Sequence, residues 1–329
     1  MKFINRKKDL NKALKKSDTI FLMAHKDLDL DALGSCIGLN TILSAKHKKC
    51  YIVIDDKNHE LGVKKVLQEL EGCITTIKSE DIEKYLNPKD KKNLLIILDT
   101  NKTDLVQSKE LLKKIEKKIV IDHHETGKGT IKDAILIIDN EVSSTCEIIT
   151  QLIEFYDVEI EPYYATVLLS GIVLDTNNFT LKTNAETYYS AYFLTSLGAS
   201  AKKVQYLLKQ DIMEYTERQK LLADIETING KIAFTKATPY TVYRREDLAK
   251  VADTLLFFNN IEASFVIGKI GKDTIGISAR SLGNFDINSI LTKLGGGGDT
   301  YNGAAKFEKT TISKVEQKLK KEINNQEGE

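Results

Sequence analysis

The sequence predicts an α/β protein in two parts: an N-terminal doubly wound, mainly parallel sheet, and a smaller C-terminal α/β domain with a mixed sheet. Three observations predict it. Short β-branched runs at residues 19–24, 50–54, 93–98, 119–124 and 135–138 alternate with helical patterns, which calls for parallel strands and right-handed crossovers. Several of these runs end in acids or imidazoles, and the carboxyl ends of parallel strands are where open α/β sheets place their chemistry. Beyond about residue 212 the pattern changes to closely spaced strands around single helices.

In chain order, Leu10, Ala13 and Leu14 recur among lysines at helical spacing, laying one face of residues 8–16 on the domain. The strand at 19–24 runs into His25-Lys-Asp-Leu-Asp-Leu-Asp31 and then an apolar helix over 32–42. A strand at 50–54, a helix at 61–70 and a strand at 93–98 follow, the last ending in Asp99-Thr-Asn. A helix at 108–117 leads into Ile-Val-Ile-Asp-His-His at 119–124, a buried strand whose tip carries Asp122, His123 and His124. After the strand at 135–138, Asn140-Glu-Val-Ser-Ser-Thr suits the capping of a helix to about Phe155. Residues 163–174 are long and apolar enough for a buried helix, and end in Asp175-Thr-Asn-Asn-Phe. Helical pattern resumes from about residue 186 to 222, interrupted at Gly198, and joins a domain over 1–211 to a second over 212–329. There, 231–235, 241–243, 263–268 and 274–279 read as strands and 245–257 and 286–293 as helices. Gly295-Gly-Gly-Gly-Asp299 comes next, then an amphipathic lysine-rich helix at 309–321 and a polar end expected to be disordered.

Composition narrows the functional classes. A formal charge of +1 points to no duplex nucleic acid and no anionic membrane, so an anionic ligand must be met locally. No run approaches the roughly 20 apolar residues that span a bilayer. The four scattered cysteines, without a C-x-x-C pair, fit reduced thiols in a cytoplasmic protein, or in the cytoplasmic portion of a membrane-anchored one.

Acids or imidazoles stand at four separate strand or helix ends: His25, Asp29 and Asp31; Asp99; Asp122, His123 and His124; and Asp175. Any one acid could simply cap the next helix. Together, Asp29, Asp31, Asp99 and Asp175 offset two divalent cations, with His25 and His123 as neutral donors and one carboxylate able to bridge. Oxygen and imidazole donors without thiolate favour Mn²⁺, Mg²⁺ or Co²⁺. Two such ions are the usual device for in-line attack of water at phosphorus.

His25-x-x-x-Asp-x-Asp, Asp99-Thr-Asn, Asp122-His-His and Gly171-Ile-Val-Leu-Asp-Thr-Asn-Asn-Phe together resemble the four motifs of the DHH phosphoesterase family, and the C-terminal part resembles its DHH-associated substrate domain. Ala252-Asp-Thr-Leu-Leu, Gly276-Ile-Ser-Ala-Arg-Ser and the four glycines are most similar to the catalytic half of GdpP-type cyclic di-AMP phosphodiesterases. The resemblance implies Mn²⁺-dependent hydrolysis of cyclic di-AMP to linear pApA, two ions per chain, and a homodimer. It implies His25 and Asp29 on one metal, Asp31, His123 and Asp175 on the other, Asp99 bridging, Asp122 orienting a neighbouring imidazole, and His124 near the scissile phosphate as a donor or general acid. That His123 rather than His124 binds metal rests on the resemblance alone.

In the second domain, Arg280 and Ser281 follow a strand, and guanidinium suits bidentate phosphate contact. Gly295, Gly296, Gly297 and Gly298 free backbone amides for an anion. Here the chain departs from the family: histidine normally follows the glycines, and Asp299 stands there instead. A carboxylate facing a phosphodiester implies weaker turnover or a shifted substrate; alternatively Asp299 caps the next turn. Two other readings compete: an oligoribonuclease of the same family, also acting on 3′-phosphoadenosine 5′-phosphate, and a nucleotide-binding relative that has lost turnover.

Overall fold

The computed structural model describes residues 7–55 and 59–327, and the chain divides into two units, Met1–Lys209 and Gln210–Glu329, each with its own core. In the first, β1 (Thr19–Met23), β2 (Lys49–Val53), β3 (Thr76–Ile77), β4 (Asn93–Leu98), β5 (Lys118–Asp122) and β6 (Ile135–Ile138) form one sheet in the order β3-β2-β1-β4-β5-β6. Every pairing is parallel. The chain works outward from β1 to β3, returns on the other side of β1 as β4, and works outward again. Direction therefore reverses between β1 and β4, the place in such sheets where a crevice opens at the strands' carboxyl ends.

The sheet is covered on both faces, which is why β1 and β4 are buried at every position. Side chains alternate between two cores: Ile20, Leu22, Leu94, Ile96 and Leu98 enter one, Phe21, Met23, Leu95 and Ile97 the other. Over the first core lie α2 (Leu30–Ala45), α5 (Thr145–Tyr156) and α6 (Pro162–Asp175), which pack on one another. Helices α2 and α6 are apolar almost all round because they are buried on every side. Glycine lets them approach: a Cβ on Gly171 would stand 2.6 Å from Cys146 Sγ and 2.8 Å from Asp31 Cα. The unit also contains α1 (Lys7–Lys15), α3 (Leu61–Glu69), α4 (Lys109–Lys114), α7 (Ala185–Ser196) and α8 (Ala201–Leu207). Gly198, at φ +94°, separates the last two.

The second unit holds α9 (Ile212–Gln219), β7 (Glu226–Ile228), β8 (Ile232–Lys236), α10 (Arg245–Leu255), β9 (Ala263–Gly271), β10 (Thr274–Ser281), α11 (Ile287–Lys293), β11 (Gly297–Gly298), β12 (Asn302–Glu308) and α12 (Ile312–Glu327). Its sheet, ordered β11-β12-β10-β9-β8-β7, is mixed: β8 and β9 run parallel and the other pairs antiparallel.

Two local expectations are corrected. Residues 241–243 form no strand, only a bridge between Val242 and Lys269, because the turn at Pro239 and the start of α10 leave room for one pairing. The chain does not lose its helix at residue 321: Ile312, Val315, Leu319 and Ile323 make a buried stripe that carries α12 to Glu327, and the expected disorder beyond that lies outside the described residues. All four cysteines are free thiols. Among the described residues no helix is long and apolar enough to cross a membrane.

Candidate metal centre

The carboxyl edge of the first unit's sheet, around the reversal between β1 and β4, gathers eight side chains singled out in the sequence. Asp29 is the N-cap of α2; its Oδ1 accepts from the amides of Asp31 (3.0 Å) and Ala32 (2.9 Å). Capping uses one oxygen, and the other, Oδ2, lies 3.7 Å from His25 Nε2. Asp31 is fully buried in the first turn of α2, and both its oxygens accept from the start of α5: Oδ2 from Thr145 N (2.8 Å) and Oδ1 from Cys146 N (2.7 Å).

Asp99 follows β4 directly and sits at φ +58°, a left-handed conformation that costs any residue with a Cβ but that Asp tolerates better than most. The turn points its carboxylate into the middle of the cluster. Oδ2 is 3.3 Å from His25 Nε2, and Oδ1 is 3.5 Å from His123 Nε2. His123 Nε2 in turn lies 3.2 Å from Asp175 Oδ2. Asp175 closes α6, where the helix carbonyls disfavour an anion, so this carboxylate is held at a place that favours a cation beside it.

Three groups of donors come within 4.8 Å of one another: His25, Asp29 and Asp99; Asp31, His123 and Asp175; and Asp99, Asp122, His123 and His124. Asp99 and His123 each belong to two of them. The residues fit a metal on a further observation: His123 is 4% exposed, yet among the described residues neither ring nitrogen makes an aligned hydrogen bond, although Nε2 lies close to Asp99 and Asp175. A buried imidazole in that state is costly unless something else binds it. Thiolate takes no part. Burial, and then the charge of Asp31, push the Cys146 thiol well above its usual range, and its Sγ lies 3.3 Å from Asp31 O as a hydrogen-bond donor.

The electrostatics describe a site short of positive charge. Burial, and then Asp99, Asp175 and Asp29, raise the Asp31 carboxyl well above the usual carboxylate range. Burial also raises Asp175, although His123 opposes it. Burial works against protonation of His25, but Asp29 and Asp99 outweigh it and raise that imidazole well above its ordinary value. A divalent cation reverses the balance for the acids by replacing the missing positive charge.

His124 differs from its neighbour. Its ring is half exposed, and its Nδ1 is 2.8 Å from Asp122 Oδ1. Partial burial opposes its protonation, but the hydrogen bond and charge of Asp122 prevail and raise it to about 9. Asp122 is itself anchored: Asn101 Nδ2 donates to its Oδ2 at 2.7 Å and to His124 O at 3.1 Å.

The second unit treats its candidates differently. Arg280 Nε donates to Asp253 Oδ1 at 2.6 Å, and Nη1 donates to Ala279 O at 2.9 Å and Ser278 Oγ at 3.4 Å. Ser281 is buried, and its hydroxyl donates to Phe285 O at 2.8 Å, closing a turn rather than facing outward. The four glycines do not form an open anion nest. The amides of Gly295 and Gly296 donate to Thr292 O and Leu291 O at the end of α11, and Gly297 and Gly298 pair with Ala304 and Gly303. They are glycines for closeness: a Cβ would stand 2.2 Å from Ala304 O at Gly296 and 2.1 Å from Asn302 O at Gly298. Asp299 caps the turn after them, its Oδ1 accepting from the amides of Tyr301 and Asn302, both at 2.7 Å.

Three residues near the cluster escaped the sequence reading. In the sequence Thr145 is part of a helix cap, and Asn101 and Gly171 stand at the ends of motifs without a role of their own. In each case the signal is a contact between distant segments, which spacing along the chain does not carry.

Comparison with known proteins now adds to this geometry. Residues 19–172 match the family model described as the DHH family, N-terminal domain, and residues 229–326 match the DHHA1 domain. The chain belongs to the DHH family. The cyclic-di-AMP phosphodiesterase GdpP of Geobacillus thermodenitrificans is 35% identical over 96% of this chain and 48% of its own length. The cyclic-di-AMP phosphodiesterase PdeA of Listeria monocytogenes is 36% identical over 94% of this chain and 48% of its own length. The chain thus spans about half the length of these relatives. The crystal structure of an exopolyphosphatase-related protein from Bacteroides fragilis shares the fold at a TM-score of 0.77, with 22% identity and 95% of each chain covered.

Proposed function

We propose that this chain is a phosphodiesterase that hydrolyses cyclic di-AMP to linear pApA with two Mn²⁺ ions. The observation that carries the proposal is the Asp99 carboxylate, shared between the His25 side and the His123 side of one cluster. Similarity to relatives named cyclic-di-AMP phosphodiesterases supports the choice of substrate.

In this reading His25, Asp29 and Asp99 hold one ion, and Asp31, His123, Asp175 and Asp99 the other. Bound there, the ions supply a water of lowered pKa and neutralise charge on the phosphate. The chain's own groups do the rest. Asn101 fixes Asp122, and Asp122 fixes the His124 ring through Nδ1, leaving Nε2 as the nitrogen that meets a ligand. The Asp122 hydrogen bond favours the protonated ring, which suits His124 to pass a proton to the leaving ribose oxygen. In the second unit Arg280, braced by Asp253, is a candidate for phosphate contact.

The test offers cyclic di-AMP, cyclic di-GMP, pApA and 3′-phosphoadenosine 5′-phosphate to the chain with Mn²⁺ and with EDTA, and separates the products. Mn²⁺-dependent accumulation of pApA from cyclic di-AMP is expected. Faster consumption of pApA or 3′-phosphoadenosine 5′-phosphate would favour the oligoribonuclease instead.

A further inference from the structure

Thr145 stands at the first position of α5, directly after the N-cap Ser144. It is fully buried and polar, and it touches two of the acids gathered at the cluster: its Oγ1 donates to Asp99 Oδ1 at 2.9 Å, and its N–H donates to Asp31 Oδ2 at 2.8 Å. The hydroxyl is not needed as the cap, because Ser144 Oγ already accepts from Glu147 N at 3.1 Å. Nor does it follow the habit of threonines inside helices, which donate to a carbonyl one turn back. Thr150, Thr166 and Thr176 all do so, to Cys146 O, Pro162 O and Ile172 O. At the first position of a helix the residue four back, Glu141, lies outside the helix, and its carbonyl accepts from Asn184 Nδ2 at 3.2 Å; the Thr145 hydroxyl turns to Asp99 instead.

Its target oxygen decides how the Asp99 carboxylate is divided. Oδ2 faces His25 at 3.3 Å, and Oδ1 faces His123 at 3.5 Å. Each carboxylate oxygen has two lone pairs, so Oδ1 can accept from Thr145 and still offer one to a cation. Without that donor the carboxylate can turn about its Cβ–Cγ bond and carry Oδ1 out of line with the His123 side. We propose that Thr145 is a positioning residue which fixes the Asp99 carboxylate so that one oxygen serves each half of the metal cluster. This inference rests on the two-ion reading above.

The experiment compares the whole chain with Thr145→Val, Thr145→Ala and Thr145→Ser, using calorimetric titration with MnCl₂ and electron paramagnetic resonance at two equivalents of Mn²⁺. Valine keeps the shape and the backbone N–H and removes only the hydroxyl. The wild type is expected to bind two ions and give the spectrum of a spin-coupled pair, the signature of two close ions sharing a bridging ligand. Valine and alanine should each weaken uptake of at least one ion by about 10- to 100-fold and replace the coupled spectrum with that of isolated Mn²⁺. Serine should retain both properties. A coupled spectrum and wild-type affinities in either hydroxyl-free variant overturn the role of Thr145, and two such variants keep the test decisive if one fails to fold. A wild-type chain that takes up one ion or none overturns the two-ion reading, and this inference with it.

Discussion

At the scale of the residue, adjacent histidines have opposite fates, and the difference predicts their titration. His123 is buried with no aligned hydrogen bond among the described residues, whereas His124 is half exposed and bound to Asp122. In the metal-free chain the His124 imidazole should titrate near 9 by NMR, since Asp122 favours its charged form against the opposing effect of burial. Because this pKa is raised, the pair's contribution to stability is complete below about 6.5 and is lost as pH rises through about 9. Asp122→Asn should bring the midpoint back toward 6.5 and lower kcat by about 100- to 10,000-fold. A midpoint unmoved by that substitution would remove Asp122 as the cause. Protons also report on the acids. Asp31, Asp175 and His25 all have raised pKa values in the metal-free cluster, so each holds its proton to higher pH than usual and must lose it to become a ligand. Mn²⁺ binding should therefore release protons and tighten as pH rises. Titration in buffers of different ionisation enthalpy measures the release, and a heat independent of buffer would contradict it.

At the scale of the element, the cluster depends on two helices held unusually close. Gly171 lies one turn before Asp175 on α6, and a Cβ there would press on Asp31 Cα and Cys146 Sγ. Two effects oppose each other in Gly171→Ala. Helix propensity favours alanine by about 1 kcal/mol, whereas overpacking a close contact costs about 1–3 kcal/mol. Because backbone of α2 is among the atoms met, overpacking should win: the variant should be less stable in urea and bind Mn²⁺ more weakly. In the second unit, Asp299→Ala should cost about 1 kcal/mol through the two lost bonds to the turn amides, while Asp299→Asn should cost far less. Equal losses would remove the carboxylate's acceptor role. The same elements show what a sequence discloses. Strands β1 and β4 are legible because burial on both faces makes them apolar without interruption, and their tips carry the acids and imidazoles of the cluster. Strand β12 is not, since Asn-Gly-Ala-Ala-Lys has little strand character; Gly303 is small because a Cβ would stand 2.2 Å from Leu291 Cδ1. The glycine run is hard to read for the same reason, as closeness to Ala304 and Asn302 is a tertiary demand that looks, in sequence, like freedom. Thr145 is hidden most thoroughly, being 46 residues from Asp99 and 114 from Asp31.

At the scale of the whole molecule, the eight side chains gathered at the sheet edge belong to the first unit, while the second has its own core and sheet. Ligand that binds only the folded state stabilises it by about 2.7 kcal/mol at a hundred times its dissociation constant. Mn²⁺ should therefore raise hydrogen-exchange protection in β1, β4, β5 and the start of α5 more than in β8, β9 and β10. Equal gains in both units would place the ions elsewhere. Family membership follows from the matched models, and the arrangement that gives it chemical meaning is the sharing of Asp99 between two sets of donors. Anomalous diffraction from a crystal of the chain grown with Mn²⁺ tests that arrangement most directly. Two peaks about 3.5–4 Å apart are predicted, one beside His25 and Asp29, the other beside Asp31, His123 and Asp175, with Asp99 between them. A single peak, or a pair that leaves Asp99 or His123 out, would contradict it.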